Sequence, residues 1–380
     1  MLKPDYNRCI INLVAAITGA FGAKPNNYER FAPLIDPENC KHPIVLLIID
    51  GLGDTFLRTH PESFLCRHRK GRLSSVFPPT TATAVTSFFT GTAPLQHGIT
   101  GWHTFFKELG TVGTVLPFTP RHGGCTFSGA GISPAQLIAG ESRLNELNVP
   151  CHVLLPHYFV DSDYSRTLAG TALRHGYENP GEMFEQIASL ADPQQPGLII
   201  GYWPQLDSLA HTHGMGSEET AAHFLALDRE CEKALPALAA QGITVIISAD
   251  HGLIDTSKEN IILLADHPEL AAMLTLPLCG EPRCAFCYVR TDQGEAFEKY
   301  IREKLGFACE LKKSSDLIRE GWLGKGVPTD RITERIGDYA LLMKENYIIK
   351  DRLINEKPFH QIGVHGGTSE EELYVPLIVI

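Results

Sequence analysis

Four short apolar runs set the strongest limit on the fold: PIVLLIID at 43–50, GLIIGYW at 197–203, ITVIISAD at 243–250 and YVPLIVI at 374–380. None alternates polar with apolar residues, so each reads as a strand covered on both faces, as in a parallel sheet between helical layers. Helical segments fall between them, including EMFEQIASLA and EETAAHFLALDRECEKALPALAAQG, the second followed by Gly242 at the place of a helix end. Strand and helix in alternation predict a right-handed, doubly wound α/β core. The rhythm breaks from 262 to 345, where the chain becomes more charged and mixed. We expect a small inserted cap-like subdomain there, with the catalytic core built from 1–261 and 346–380.

Composition narrows the partners. The formal net charge of -11, without a basic run, argues against a nucleic acid polymer or an anionic membrane surface. The longest apolar candidate, CIINLVAAITGAFGA at 9–23, is too short to span a bilayer; it reads as an amphipathic N-terminal helix, although its small-residue end also resembles a leader. Ten scattered cysteines suit reduced thiols and a cytoplasmic protein. Only Cys284 and Cys287 form a CxxC, and in the strand-like CAFCYVR they face opposite sides, which favours core cysteines over a redox or zinc pair. The sequence leaves the oligomeric state open.

Candidate chemistry gathers where apolar runs end. LLIIDGLG ends in Asp50, and VIISADHGL ends in Asp250 and His251. In YWPQLDSLAHTHG, Asp207 and His211 stand four apart, on one side of a helix, and GVHGG holds His365 between glycines. Each alone has an ordinary account as a turn residue, a helix cap or a surface histidine. Together, three Asp and three His form a mixed N/O donor set for two divalent ions, with Zn2+ favoured over Mn2+ or Mg2+. Paired metals serve phosphoryl chemistry and supply the positive centre that a small anionic substrate needs.

The stretch SSVFPPTTATAVTSFFTGTAPLQHGITGW at 74–102 is rich in threonine and has no Lys, Arg, Asp or Glu. Thr81 follows VFPPT and precedes an apolar helical run, so it reads as the start of a helix whose free N–H groups face a phosphate. We take it as the candidate nucleophile and a metal ligand; Thr80, Thr83, Thr86 and Thr90 read as capping and packing residues.

These motifs, with GEPRCAFCYV, RIGDYALLM and VHGGTSEEELYVPLIV in the same order along most of the chain, resemble the type I phosphodiesterase/nucleotide pyrophosphatase family of the alkaline phosphatase superfamily. The resemblance implies a three-layer α/β/α sandwich with a largely parallel sheet and a small inserted cap. It implies that Asp50, Asp250 and His251 hold one metal together with Thr81, and that Asp207, His211 and His365 hold the other. It further implies hydrolysis of a phosphodiester or nucleotide pyrophosphate bond in a small substrate, through a covalent phospho-threonine intermediate.

Ala84 departs from the pattern, standing where better-known members carry Asn, so a side-chain amide is missing and substrate preference stays open. Residues 73–106 contain no Lys or Arg to clamp a monoester dianion, which favours a diester, unless Arg121, Arg166 or Arg283 reaches in. A monoesterase, a phosphonate hydrolase, a phosphomutase and a silent metal-binding module are the competing readings. Trp102, Phe105, Tyr158 and Trp203 read as core residues before stacking platforms for a base.

Overall fold

The computed structural model describes every residue except 32–40, 355, 358 and 359. Its larger sheet runs in the order Arg69–Ser74, Tyr374–Val379, Thr244–Ser248, Ile44–Ile49, Leu198–Trp203, Cys151–Pro156 and Leu173–Tyr177. The five strands from Thr244–Ser248 to Leu173–Tyr177 pair in parallel. All four apolar runs lie in this sheet, and Ile44–Ile49 and Leu198–Trp203 are buried at every position. The largely parallel sheet and its helices give the expected alkaline-phosphatase-like α/β architecture.

Tyr374–Val379 differs from the other three runs, being antiparallel to both of its neighbours. Its burial is the same in either direction, so an apolar pattern carries no information about strand sense. Ile10–Ala20 also differs from the expectation of an amphipathic helix, because every residue from Ile10 to Thr18 is buried. A helix apolar all round belongs inside a core.

A second seven-stranded sheet runs Cys309–Lys313, Tyr339–Met343, Cys284–Cys287, Cys279–Glu281, His103–Phe106, Thr111–Thr114 and Thr119–Pro120, all antiparallel. This sheet therefore combines four strands from the 262–345 stretch with three from 103–120. Those strands are two to four residues long and half exposed, so nothing in their pattern separates them from the surrounding core sequence. A backbone contact joins the two stretches: a Cβ on Gly101 would lie 2.5 Å from the Gly280 Cα, an approach that only glycine permits. Cys284 and Cys287 pack into different hydrophobic clusters on the two faces of this sheet, as their spacing requires.

One buried ion pair ties the second sheet to the first. Arg283 donates to both carboxylate oxygens of Glu372, at 3.1 and 2.8 Å, and also to the Tyr347 carbonyl at 2.6 Å. Glu372 in turn accepts the Gly367 N–H at 2.7 Å, just before the last core strand. Both side chains are almost fully buried. Glu372→Ala would strand the guanidinium without a counter-charge, and urea denaturation is expected to show a loss of about 3–5 kcal/mol.

Candidate metal and phosphoryl site

In open parallel sheets, ligands collect beyond the carboxyl ends of the strands. Three adjacent strands deliver the carboxylates: Asp50 directly follows Ile44–Ile49, Asp250 lies two residues beyond Thr244–Ser248, and Asp207 opens the Gln205–His213 helix after Leu198–Trp203. His365 follows the short pairing of Gly363–Val364 with Ile254–Asp255, which folds the 365 turn over the 250 turn. Thr81 is the first residue of the Thr81–Thr90 helix.

All seven residues singled out in the sequence meet here. The His251 Nε2 lies 3.1 Å from the Thr81 hydroxyl, 3.3 Å from Asp50 Oδ1 and 3.6 Å from Asp250 Oδ2. His211 Nε2 lies 3.3 Å from Asp207 Oδ2, and His365 Nε2 lies 4.0 Å from Asp207 Oδ1. The rings of His251 and His365 stack with centroids 4.0 Å apart. Asp50, Asp250 and His251 present donor atoms within 4.8 Å of one another, and so do Asp207, His251 and His365. His251 thus faces both groups, while His211 approaches the second through Asp207.

Hydrogen bonds fix how the donors point. A carbonyl can only accept, so His211 Nδ1–H donates to Gly363 O at 2.7 Å and His251 Nδ1–H donates to Gly252 O at 3.2 Å. Each Nε2 lone pair is thereby turned into the site. Asp250 Oδ1 accepts the N–H groups of Gly51 at 3.2 Å and His251 at 3.0 Å, and Tyr202 donates its hydroxyl to Asp50 Oδ2.

The opposite oxygens are left over. Asp50 Oδ1, Asp250 Oδ2 and Asp207 Oδ1 are buried with no hydrogen-bond partner, as is His365 Nδ1. Burial, and then the charges of Asp250 and Asp207, push the Asp50 carboxyl well above the usual range. Burial likewise raises Asp250, and burial followed by the neighbouring His251 and His211 drives His365 well down. Among the described residues, only histidines come within ion-pair distance of these three carboxylates. Orphaned acceptors converging without a protein cation fit divalent ions.

Three arginines that could have clamped a dianion are committed elsewhere or exposed. Arg121 bonds Asp351, Glu356 and Leu278 O; Arg283 is held by Glu372; Arg166 is exposed and lies 3.6 Å from Asp161. Ala84 is fully buried in the main hydrophobic cluster, so that position packs the core. Trp203 is buried and stacks on Tyr177 and His223, whereas Tyr158 is 77% exposed. Sequence reasoning missed two side chains: Tyr202, behind Asp50, and Glu281, which reaches the Thr80–Thr81 turn from the second sheet. Burial raises the Glu281 carboxyl to about 7, although bonds from Thr80 and Trp102 favour its charged form.

The sequence matches the model of the family described as type I phosphodiesterase / nucleotide pyrophosphatase over residues 44–368. The chain belongs to this family. No curated protein matches it by sequence. Among solved structures, it is similar to an inactive threonine-to-alanine variant of murine ectonucleotide pyrophosphatase / phosphodiesterase 5 in complex with AMP, with TM-score 0.65, 15% identity, and 88% and 87% of the two chains covered. It is also similar to phosphonoacetate hydrolase from Sinorhizobium meliloti in complex with phosphonoformate, with TM-score 0.63, 16% identity, and 89% and 90% covered. At these identities the likeness establishes the fold that this family member shares with them.

For a type I phosphodiesterase family member with this donor set, zinc added to EDTA-stripped protein is expected to bind as two equivalents by isothermal titration calorimetry. At a free concentration of 100 times the dissociation constant, each site would add about 2.7 kcal/mol of stability, visible as a higher Tm. His365→Ala is expected to lose one equivalent.

Proposed function

We propose that this hydrolase cleaves phosphodiester or nucleotide pyrophosphate bonds in a small substrate, with Thr81 as nucleophile and a phospho-threonine intermediate. Membership of the family indicates phosphoester hydrolysis. The single observation that carries the finer reading is the Thr81 hydroxyl at a helix start, 3.1 Å from His251 Nε2, beside the convergent orphaned carboxylates. The murine neighbour adds support, since its threonine-to-alanine variant is inactive and binds AMP.

Asp50, Asp250, His251 and Thr81 would hold one divalent ion, and Asp207, His211 and His365 the other, with Zn2+ favoured by the imidazole content. Such a pair supplies positive charge to phosphoryl oxygens and lowers the pKa of an attacking hydroxyl. The chain's own groups do the rest. The Thr81 hydroxyl and His251 Nε2 lie 3.1 Å apart; with the ion bound both would turn a lone pair to it, and the hydroxyl, losing its proton, would attack the phosphorus. The first amides of the Thr81–Thr90 helix are unpaired within the helix and point at the same space, where they favour an anion. His211 and His251 keep one tautomer each through their bonds to Gly363 O and Gly252 O.

The commitment of Arg121 and Arg283 to other carboxylates supports a diester over a monoester dianion, which calls for an added cationic clamp. Phosphonate hydrolysis is the second reading, favoured by the likeness to phosphonoacetate hydrolase. Turnover of bis(p-nitrophenyl) phosphate, p-nitrophenyl phosphate and phosphonoacetate under one set of conditions separates the readings, and the diester is expected to be the best substrate. EDTA should abolish that activity and zinc restore it. Thr81→Ala is expected to keep the metals and to lose kcat by on the order of 10³-fold or more, as for other nucleophile deletions; unchanged kcat would end the proposal.

A further inference from the structure

Glu281 ends the Cys279–Glu281 strand of the second sheet and is buried against the core domain. It belongs to neither group of convergent cation donors. One oxygen, Oε1, instead accepts two bonds: the Thr80 hydroxyl at 2.6 Å and the Trp102 N–H at 2.6 Å. Thr80 is the N-cap residue of the Thr81–Thr90 helix, yet its side chain makes no cap bond. A capping threonine ordinarily spends its oxygen on the second or third amide of its helix. Here the hydroxyl is drawn away to Glu281, and those amides stay available to an anion.

The surroundings are shaped to admit this side chain. A Cβ on Gly366, next to His365, would lie 2.7 Å from the Glu281 Cβ, and one on Gly101 would collide with Gly280. Gly366 and Gly280 both hold positive φ, at 100° and 82°. Glu281 is therefore wedged among the segment bearing Thr81, the turn bearing Trp102 and the turn bearing His365.

We infer that Glu281 is a positioning residue for the nucleophile: by holding Thr80 and Trp102 on one oxygen, it sets the turn that presents Thr81 and keeps the first helix amides free for the phosphoryl group. This rests on the reading of Thr81 as nucleophile.

The test compares Glu281→Ala, Glu281→Gln and Thr80→Val with the zinc-loaded full chain. Kinetics use bis(p-nitrophenyl) phosphate, accompanied by zinc content, Tm and amide hydrogen exchange of peptides covering 77–88 and 99–106. Glu281→Ala is expected to lower kcat by about 10²-fold, the cost of a misplaced reacting group, with KM little changed and zinc retained. Both peptides should exchange faster. Glu281→Gln retains an acceptor oxygen and should recover most of kcat, while Thr80→Val should reproduce the loss and add little to Glu281→Ala in the double variant.

Native kcat in Glu281→Ala, a loss matched by lost zinc, or a Gln variant as impaired as Ala would each overturn the inference. If Glu281→Ala fails to fold, native kcat in Thr80→Val overturns it. If the unmodified protein turns over no phosphoester, the nucleophile reading falls by itself. The exchange data still decide whether Glu281 orders the turn, and unchanged protection of both peptides in Glu281→Ala refutes that.

Discussion

Three carboxylates buried at the ends of three adjacent strands are the constraint around which this molecule is arranged. Asp250 and Asp207 raise the cost of charging Asp50, Asp207 also raises that of Asp250, and Asp50 carries the heaviest load because burial and both neighbours act on it. In a low-dielectric interior, like charges this close either neutralise or take up cations. The protein supplies none of its own: among the described residues, the ion partners of these carboxylates are His251, His211 and His365. The same parallel sheet that concentrates the charges thus makes a site that suits divalent ions, which would supply the positive centre that an acidic chain otherwise lacks.

Holding such a site needs rigidity on every side. Asp250 is pinned by two backbone N–H groups, Asp50 by the Tyr202 hydroxyl, and His211 and His251 by backbone carbonyls. Orienting bonds of this type fix ring tautomers and leave donor lone pairs aimed inward. The second sheet adds a further layer of constraint. Arg283 and Glu372 lock it to the segment preceding the last core strand, and Glu281 reaches past the Gly101–Gly280 contact to the Thr80–Thr81 turn. Two residues of one hairpin, 281 and 283, therefore both brace segments that border the candidate site.

The threonine-rich helix shows how a hydroxyl is singled out among similar neighbours. Thr86 and Thr90 return their hydroxyls to carbonyls one turn back, at 2.6 and 2.8 Å, and Thr80 gives its hydroxyl to Glu281. Thr81 alone among these bonds a site histidine. Ala84, which looks like a lost functional amide in the sequence, faces the hydrophobic core. Arg121 and Arg283, held by other carboxylates, do not replace that donor.

The sequence by itself determined the parallel core and the membership of the site. Doubly buried strands leave long apolar runs, and an acid closing such a run stands out, so the convergence of Asp50, Asp250, His251 and the Asp207–His211 pair was legible from local pattern. Only the tertiary structure decided the sense of Tyr374–Val379, the burial of Ile10–Ala20, the recruitment of 103–120 into the second sheet, the sharing of His251 between both donor groups, and the places of Tyr202 and Glu281. The last two depend on contacts between residues 152 and 201 positions apart in the chain, and a side chain that acts on a distant partner leaves no periodicity or spacing in its own neighbourhood.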